Sequence, residues 1–182
     1  MCMRNDFDLK KTLKHELALN NEGWKRKLAI KAYRYKFYYY HIKPNKFKLR
    51  LAKIYSAVIS FIIRSNIPTE KVYIDSGLKI PHAFDNIIIT HYARLGKNLT
   101  IFHDVTIGVN ENEQTYPGDI IIEDDVLIGA GAKIIGKCKI GRGSKIGANA
   151  LVISEIIPEY SLVVAPKAII YPSKFKRNTT SD

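Results

Sequence analysis

The sequence predicts a mainly β protein, a parallel β-helix preceded by a basic helical region. Three observations carry that expectation. The first is a period of six across residues 122–157, where Ile122, Ile128, Ile134, Ile140, Ile146 and Val152 head six successive hexads. The second is position five of the same hexads, held by Val126, Ala132, Cys138, Ser144, Ala150 and Ile156, mostly small residues. The third is charge. Residues 1–66 hold 16 Lys+Arg against 4 Asp+Glu, and residues 67–182 hold 13 of each, so the whole excess of +12 lies in the first third.

A period of six fits no α-helix of 3.6 residues per turn. It fits short strands, because position five and the next position one are two residues apart and share a face. Glycine at position two (residues 129, 141 and 147) tolerates the backbone of a corner between strands. Each turn of such a coil buries its apolar row only against the turns above and below it.

Three helices are expected ahead of the coil. Residues 6–20 place Phe7, Leu9, Leu13, Leu17 and Leu19 among charges, at amphipathic spacing. Asn20-Asn21-Glu22-Gly23 breaks the pattern, and a basic, aromatic helix follows over residues 24–42 until Pro44 ends it. Residues 46–64 carry Leu51, Ile54, Val58, Ile59 and Ile62 at three- and four-residue steps. The apolar part, from Leu51 to Ile63, contains Lys53 and is too short and interrupted for a membrane span. The region reads as a packed helical cap. The sharper alternative is an interfacial helix or basic arm that docks an anionic lipid or polymer. No nucleic-acid partner is expected, because the basic and aromatic residues form no recognition motif.

The coil starts imperfectly at Val72. Ile74 and Ile80 lie six apart; a three-residue slip then leads to the register Ile89, Leu95, Ile101, Ile107, with Ala93, Leu99 and Val105 at position five. Residues 109–118 lose the pattern, are polar and carry Pro117-Gly118, and read as a loop projecting from the coil. The repeat fades after Ile157-Pro158. The expected organisation is a basic helical region over 1–66, a β-helix domain over 67–172 and a flexible tail over 173–182.

With 46% hydrophobic and 25% charged residues the chain suits a soluble protein with a sizeable core. Two cysteines exclude a disulfide framework, and Cys138 falls at an inward small position. The N-terminus shows no apolar signal core, so the expected compartment is the cytoplasm, with peripheral contact at the inner face of the membrane through residues 1–66 as a further candidate.

Gly77-Leu-Lys-Ile-Pro-His82, Ile87-Ile-Ile89, Ala93-Arg-Leu-Gly-Lys-Asn-Leu-Thr-Ile-Phe-His-Asp-Val-Thr-Ile-Gly108, Ile128-Gly-Ala-Gly-Ala-Lys-Ile-Ile-Gly136 and Ile146-Gly-Ala-Asn-Ala150 together resemble the serine acetyltransferase branch of the hexapeptide-repeat acyltransferases. The resemblance covers about residues 66–170. It implies a left-handed parallel β-helix, a homotrimer, acetyl-CoA as donor, no metal, and active sites between neighbouring subunits. It also implies that His82 is the general base. A hydroxyl acceptor must lose its proton as it attacks the thioester, and an imidazole takes it near neutral pH. The backbone N–H of Gly108 or its neighbour is the candidate oxyanion donor. Candidate acetyl-CoA contacts are Gly129, Ala130, Gly131, Ala148 and Asn149 along a corner of the coil, with Lys133, Lys145 and Lys167 for phosphates. His91 and His103 are expected to be structural, and His91 partly buried.

Departures from the branch decide the expected acceptor. The residue before the histidine is an aspartate in serine acetyltransferases and Pro81 here. The loop before the last repeats reads Thr115-Tyr116-Pro117-Gly118 in place of an Arg-His-Pro element, and no aspartate stands near Asn66 and Ile67 to pair with His82. A zwitterionic amino acid needs charged partners. The sequence therefore points to a sugar hydroxyl of a bacterial cell-surface polysaccharide (capsule or lipopolysaccharide), and the basic arm to an anionic glycan. Serine O-acetylation in cysteine biosynthesis is the alternative, and a non-catalytic β-helix scaffold with a membrane- or polymer-binding arm is a further one.

Overall fold

Three parallel sheets stack into a triangular coil, and three helices close its N-terminal end. The computed structural model describes residues 7–169. Helices α1 (Leu9–Leu19), α2 (Trp24–Phe37) and α3 (Lys46–Ile63) come first, and α2 runs on into a π-helical turn over Tyr38–Ile42. Asp8 caps α1 by accepting from the N–H groups of Lys10 and Lys11, and Asn45 caps α3 by accepting from Lys48 N–H. Arg64 ends α3 in the left-handed conformation at φ 54°.

The first sheet stacks β1 (Tyr73–Ile74), β3 (Ala93–Leu95), β6 (Ile120–Ile122), β9 (Lys139–Ile140) and β12 (Ile156–Ile157). The second stacks β4 (Thr100–Ile101), β7 (Leu127–Ile128), β10 (Lys145–Ile146) and β13 (Leu162–Val163). The third stacks β2 (Ile88–Ile89), β5 (Thr106–Gly108), β8 (Lys133–Ile135) and β11 (Leu151–Ile153).

Register follows the hexads. Ile122 pairs with Ile140, Ile128 with Ile146 and Ile134 with Val152, each three hexads on, so three hexads make one coil. Leu95 pairs with Ile122, Ile101 with Ile128 and Ile107 with Ile134, a longer step each time, because the loop over 109–118 is inserted into that coil. Ile74 pairs with Leu95, three places beyond a regular coil, so the slip is a real excursion of the chain, over residues 81–86.

The inward residues Leu78, Ile80, Leu99, Ile101, Val105, Ile107, Ile128, Ala132, Ile134, Cys138 and Ile140 form one buried column. Ile156 departs from the expected pattern. It is 76% exposed, and Ile157 takes the inward place under Ile140, one place short of a regular coil. The shortened corner before it holds Ser154 at φ 51°. The coil continues past Ile157-Pro158, with β13 pairing β10 and Val163 packing on the core. Residues 164–169 carry no strand, and the rest of the expected terminal segment and tail lies outside the described residues.

The first coil would present an unpaired strand edge, a ready template for another chain. The helices occupy it with buried polar side chains. Glu16 accepts from the N–H groups of Gly77 and Leu78 at 2.9 Å, and Asn20 donates to Leu78 O and accepts from Ile80 N–H. Arg34 donates to Ile74 O and Asp75 O while it pairs with Glu16 at 2.5 Å. Tyr33 donates to Val72 O, and Lys36 to Pro68 O. Ile30, Tyr33, Phe37, Ile59 and Ile63 join the same apolar core as the coil.

Candidate active site

The excursion over 81–86 carries His82 out of the coil. Ala83, Phe84 and Asn86 all take positive φ (55°, 64° and 49°), which turns the chain sharply out of the sheet direction. Phe84 is fully buried and anchors the excursion; its ring meets Tyr33 of α2 edge-on at 5.9 Å. Asp85 accepts from Ser65 Oγ at 2.5 Å, and Asp85 O accepts from Asp104 N–H. His82 itself stays exposed, at the corner between the second and third sheets.

His103 occupies the same corner one coil on. Its place relative to His82 repeats the offset that separates Ile74 from Leu95. The two imidazoles meet edge to face with centroids 4.4 Å apart, and the Phe102 ring lies 6.0 Å from that of His82. His103 Nδ1 is buried without a hydrogen-bond partner, and Nε2 lies 3.7 Å from Asp104 Oδ2. His103 is half-buried, and its ring faces that of His82. His91 is exposed against Tyr92, so it is not partly buried as expected.

The same corner carries the small residues of the repeat. Gly131 N–H donates to His103 O at 3.0 Å, and Asn149 N–H to Ala130 O at 2.8 Å, so Gly129, Ala130, Gly131, Ala148 and Asn149 continue the ridge that His82 and His103 begin. A Cβ on Gly129 would sit 2.7 Å from Ala148 N, so glycine is dictated there by the approach of the next coil. The consequence is close backbone stacking of successive coils at this corner. Lys133 reaches this corner, its Nζ donating to Asp104 O at 2.5 Å. Lys145 projects from the second sheet, and Lys167 is exposed beyond β13; among the described residues no contact ties either to the corner. Gly108 stands at the opposite end of the third sheet, with its carbonyl accepting from Gly136 N–H, so the fold does not bring it to His82 of the same chain.

The loop over 109–118 emerges at that other end too. Glu113 ties it down, accepting from Ser154 Oγ and from Lys137 N–H. These bonds hold the Glu113 carboxyl below its usual range.

A cavity of about 250 Å³ opens between the 81–86 excursion and the α1–α2 turn. Pro81, His82, Ala83 and Asp85 line one side, and Glu22, Gly23, Trp24, Lys25 and Arg26 the other. Arg26 pairs with Glu22 at 3.1 Å. Two carboxylates and two cations thus line the same cavity as His82. Sequence reasoning missed the residues of the α1–α2 turn, because nothing local marks residues 22–26 as neighbours of His82. Among the described residues no group of three or more His, Cys, Asp and Glu side chains is placed to hold a metal ion.

The bacterial transferase hexapeptide (six repeats) family model matches residues 119–154. The serine acetyltransferase of Buchnera aphidicola subsp. Schizaphis graminum is 34% identical over 145 residues, 78% of this chain and 52% of that protein. That of Bacillus subtilis is 31% identical over 148 residues, covering 78% of this chain and 58% of the relative. The chain thus spans about half the length of the curated relatives it matches. Among solved structures, Neisseria gonorrhoeae serine acetyltransferase in complex with serine superposes with a TM-score of 0.67 at 27% identity, covering 89% of this chain and 68% of that one.

These similarities overturn the expected polysaccharide acceptor. The matched relatives are serine acetyltransferases over most of this chain, and a sugar hydroxyl has no support among them. The sequence reading looked for charged groups at Pro81, in the 109–118 loop and near Asn66 and Ile67, whereas the charges that line a cavity with His82 stand on the α1–α2 turn and at Asp85. The basic arm is also less available to a glycan than its charge implies, since Arg34 and Lys36 are buried and Arg26 and Lys53 are paired. The chain carries the bacterial transferase hexapeptide repeat on a left-handed parallel β-helix behind a helical N-terminal region, and along most of its length it is similar in sequence and fold to serine acetyltransferases.

Proposed function

We propose that this chain is an acetyl-CoA-dependent serine O-acetyltransferase, the reaction that opens cysteine biosynthesis. The observation that carries the reading is the mixed-charge cavity beside His82. A free amino acid brings an ammonium and a carboxylate that must both find partners when desolvated. Asp85 and Glu22 suit the ammonium, and Arg26 and Lys25 the carboxylate. The serine hydroxyl then faces the imidazole.

His82 takes the hydroxyl proton as the serine oxygen attacks the acetyl carbonyl. The new C–O bond forms, the C–S bond breaks, and the proton passes from His82 to the departing thiolate of CoA. No covalent acyl-enzyme is required. Gly129, Ala130, Gly131, Ala148 and Asn149 offer the ridge for the pantetheine, and Lys133 a cation at its edge, with Lys145 and Lys167 as further phosphate contacts. A backbone N–H at Gly108 or Val109 serves the oxyanion from a neighbouring copy in a homotrimer, since within one chain it is remote from His82.

The test is steady-state acetyl transfer from acetyl-CoA by the purified full chain, followed by thiol release and by the appearance of O-acetylserine. L-serine is expected to turn over, and His82→Ala to reduce kcat/KM by about a hundredfold to ten-thousandfold with unchanged thermal stability. Absence of turnover on L-serine, with acetyl-CoA binding intact, refutes the acceptor.

A further inference from the structure

Helix α3 is apolar on two faces, and the core uses only one of them. Ala52, Ser56, Ile59 and Ile63 pack inward. Phe47, Leu51, Ile54, Val58 and Phe61 form a second stripe at three- and four-residue steps on the outside, and Ile62 borders it. Phe47 is 72% and Phe61 86% exposed. Large apolar side chains scattered singly on a surface are ordinary, but an aligned row along a whole helix marks a docking face.

The surroundings of the stripe say what it docks on. Lys46 and Arg50 lie on the same helix, one turn apart, and Arg64 closes it. A groove of about 330 Å³ borders the stripe, lined by Tyr35, Tyr39, Tyr55 and Lys48, with Lys48 Nζ over the Tyr39 ring at 5.7 Å. Tyrosine and lysine side chains beside an apolar stripe are the composition of a bilayer interface, where ring bodies sit among acyl chains and polar tips among headgroups. Residues 1–66 carry the whole net positive charge. A second copy seated on the stripe would bring the same cations to the seam, which like-charge repulsion disfavours. No helix among the described residues is long and apolar enough to cross a membrane.

We propose that the outer face of α3 docks the protein on an anionic lipid bilayer, with the Phe47–Phe61 stripe in the interface and Lys46, Lys48 and Arg50 against the headgroups. This goes beyond the proposed acetyl transfer and does not depend on it, because the stripe contains none of the residues around His82.

The test is co-sedimentation of the full chain with vesicles of phosphatidylcholine containing about one-third phosphatidylglycerol, against vesicles of phosphatidylcholine alone. Binding is expected to the anionic vesicles only, and to weaken as salt is raised. Val58→Gln with Phe61→Gln should lower the partition coefficient by about tenfold or more, with far-UV circular dichroism and acetyl transfer unchanged. Lys46→Glu with Arg50→Glu should lower it comparably and leave fold and oligomer intact. No binding by the wild type, equal binding to neutral vesicles, or equal binding by either variant overturns the proposal. So does a change of mass in light scattering for the Val58/Phe61 variant, which would show the face covered by a second copy.

Discussion

The imidazole of His103 stands edge to face against that of His82, with ring centroids 4.4 Å apart across two successive coils. The contact suits a role for His103 in orienting the His82 ring. Replacing His103 by Gln should leave the fold intact and lower kcat more than it raises KM, as measured by steady-state kinetics. An unchanged kcat in His103→Gln would assign His103 to packing alone.

The charged lining of the cavity makes a separate prediction for substrate binding. Asp85→Asn and Arg26→Gln each remove one charge-assisted contact of the kind worth about 1.5–3 kcal/mol. Each should raise KM for L-serine about tenfold or more while kcat stays within about twofold, as measured by steady-state kinetics at saturating acetyl-CoA. A fall in kcat at constant KM would place these groups in the chemical step instead.

Glu16 and Arg34 tie the helices to the first coil. Glu16→Ala leaves the buried Arg34 guanidinium uncompensated and frees the N–H groups of Gly77 and Leu78. The expected loss is about 3–5 kcal/mol by denaturant unfolding. The double change Glu16→Leu with Arg34→Met should not restore wild-type stability, because the Gly77 and Leu78 donors and the Ile74 and Asp75 carbonyls then lose these partners. Full restoration would show that the pair is dispensable to the coil edge.

Lys36 makes stability depend on alkaline pH. Burial pushes its ammonium down to about 8 from the ordinary 10.5. Below about pH 8 the folded and unfolded chains both hold the proton, and the contribution is flat. Between about 8 and 10.5 the unfolded chain holds more protons, so stability rises with pH. The unfolding midpoint of the wild type, taken relative to that of Lys36→Met, should therefore climb across this window. A flat difference would mean the amine is solvated.

Gly129 separates packing from ligand binding. A Cβ there meets the backbone at Ala148 N and Gly147 C, atoms that cannot swing aside. Gly129→Ala should destabilise the coil by about 1–3 kcal/mol in thermal or denaturant unfolding, with or without acetyl-CoA present.

The coil was legible because its period is written in single residues. An inward Ile every sixth place and a small residue two before it are local facts, and stacking of identical turns needs nothing else. The shortened corner at Ser154 was not legible, since Ile156 and Ile157 are both Ile and only the pairing of Ile157 with Ile140 chooses between them. His82 was marked by its neighbours in the chain. Its neighbour His103 and the charges of Glu22, Arg26 and Asp85 were not, because their meeting depends on the length of a coil and on where a helix turn comes to rest.

The amino-acid sequence alone determined the repeat, its inward column, the three helices and the histidine at the slip, all consequences of side-chain periodicity and of breaks in it. The tertiary structure alone decided which charges surround that histidine, which face of α3 is left open, and that the excess of positive charge is partly spent at a strand edge. Those are contacts between residues far apart in the chain, as Glu16 is from Leu78, and no local preference encodes them.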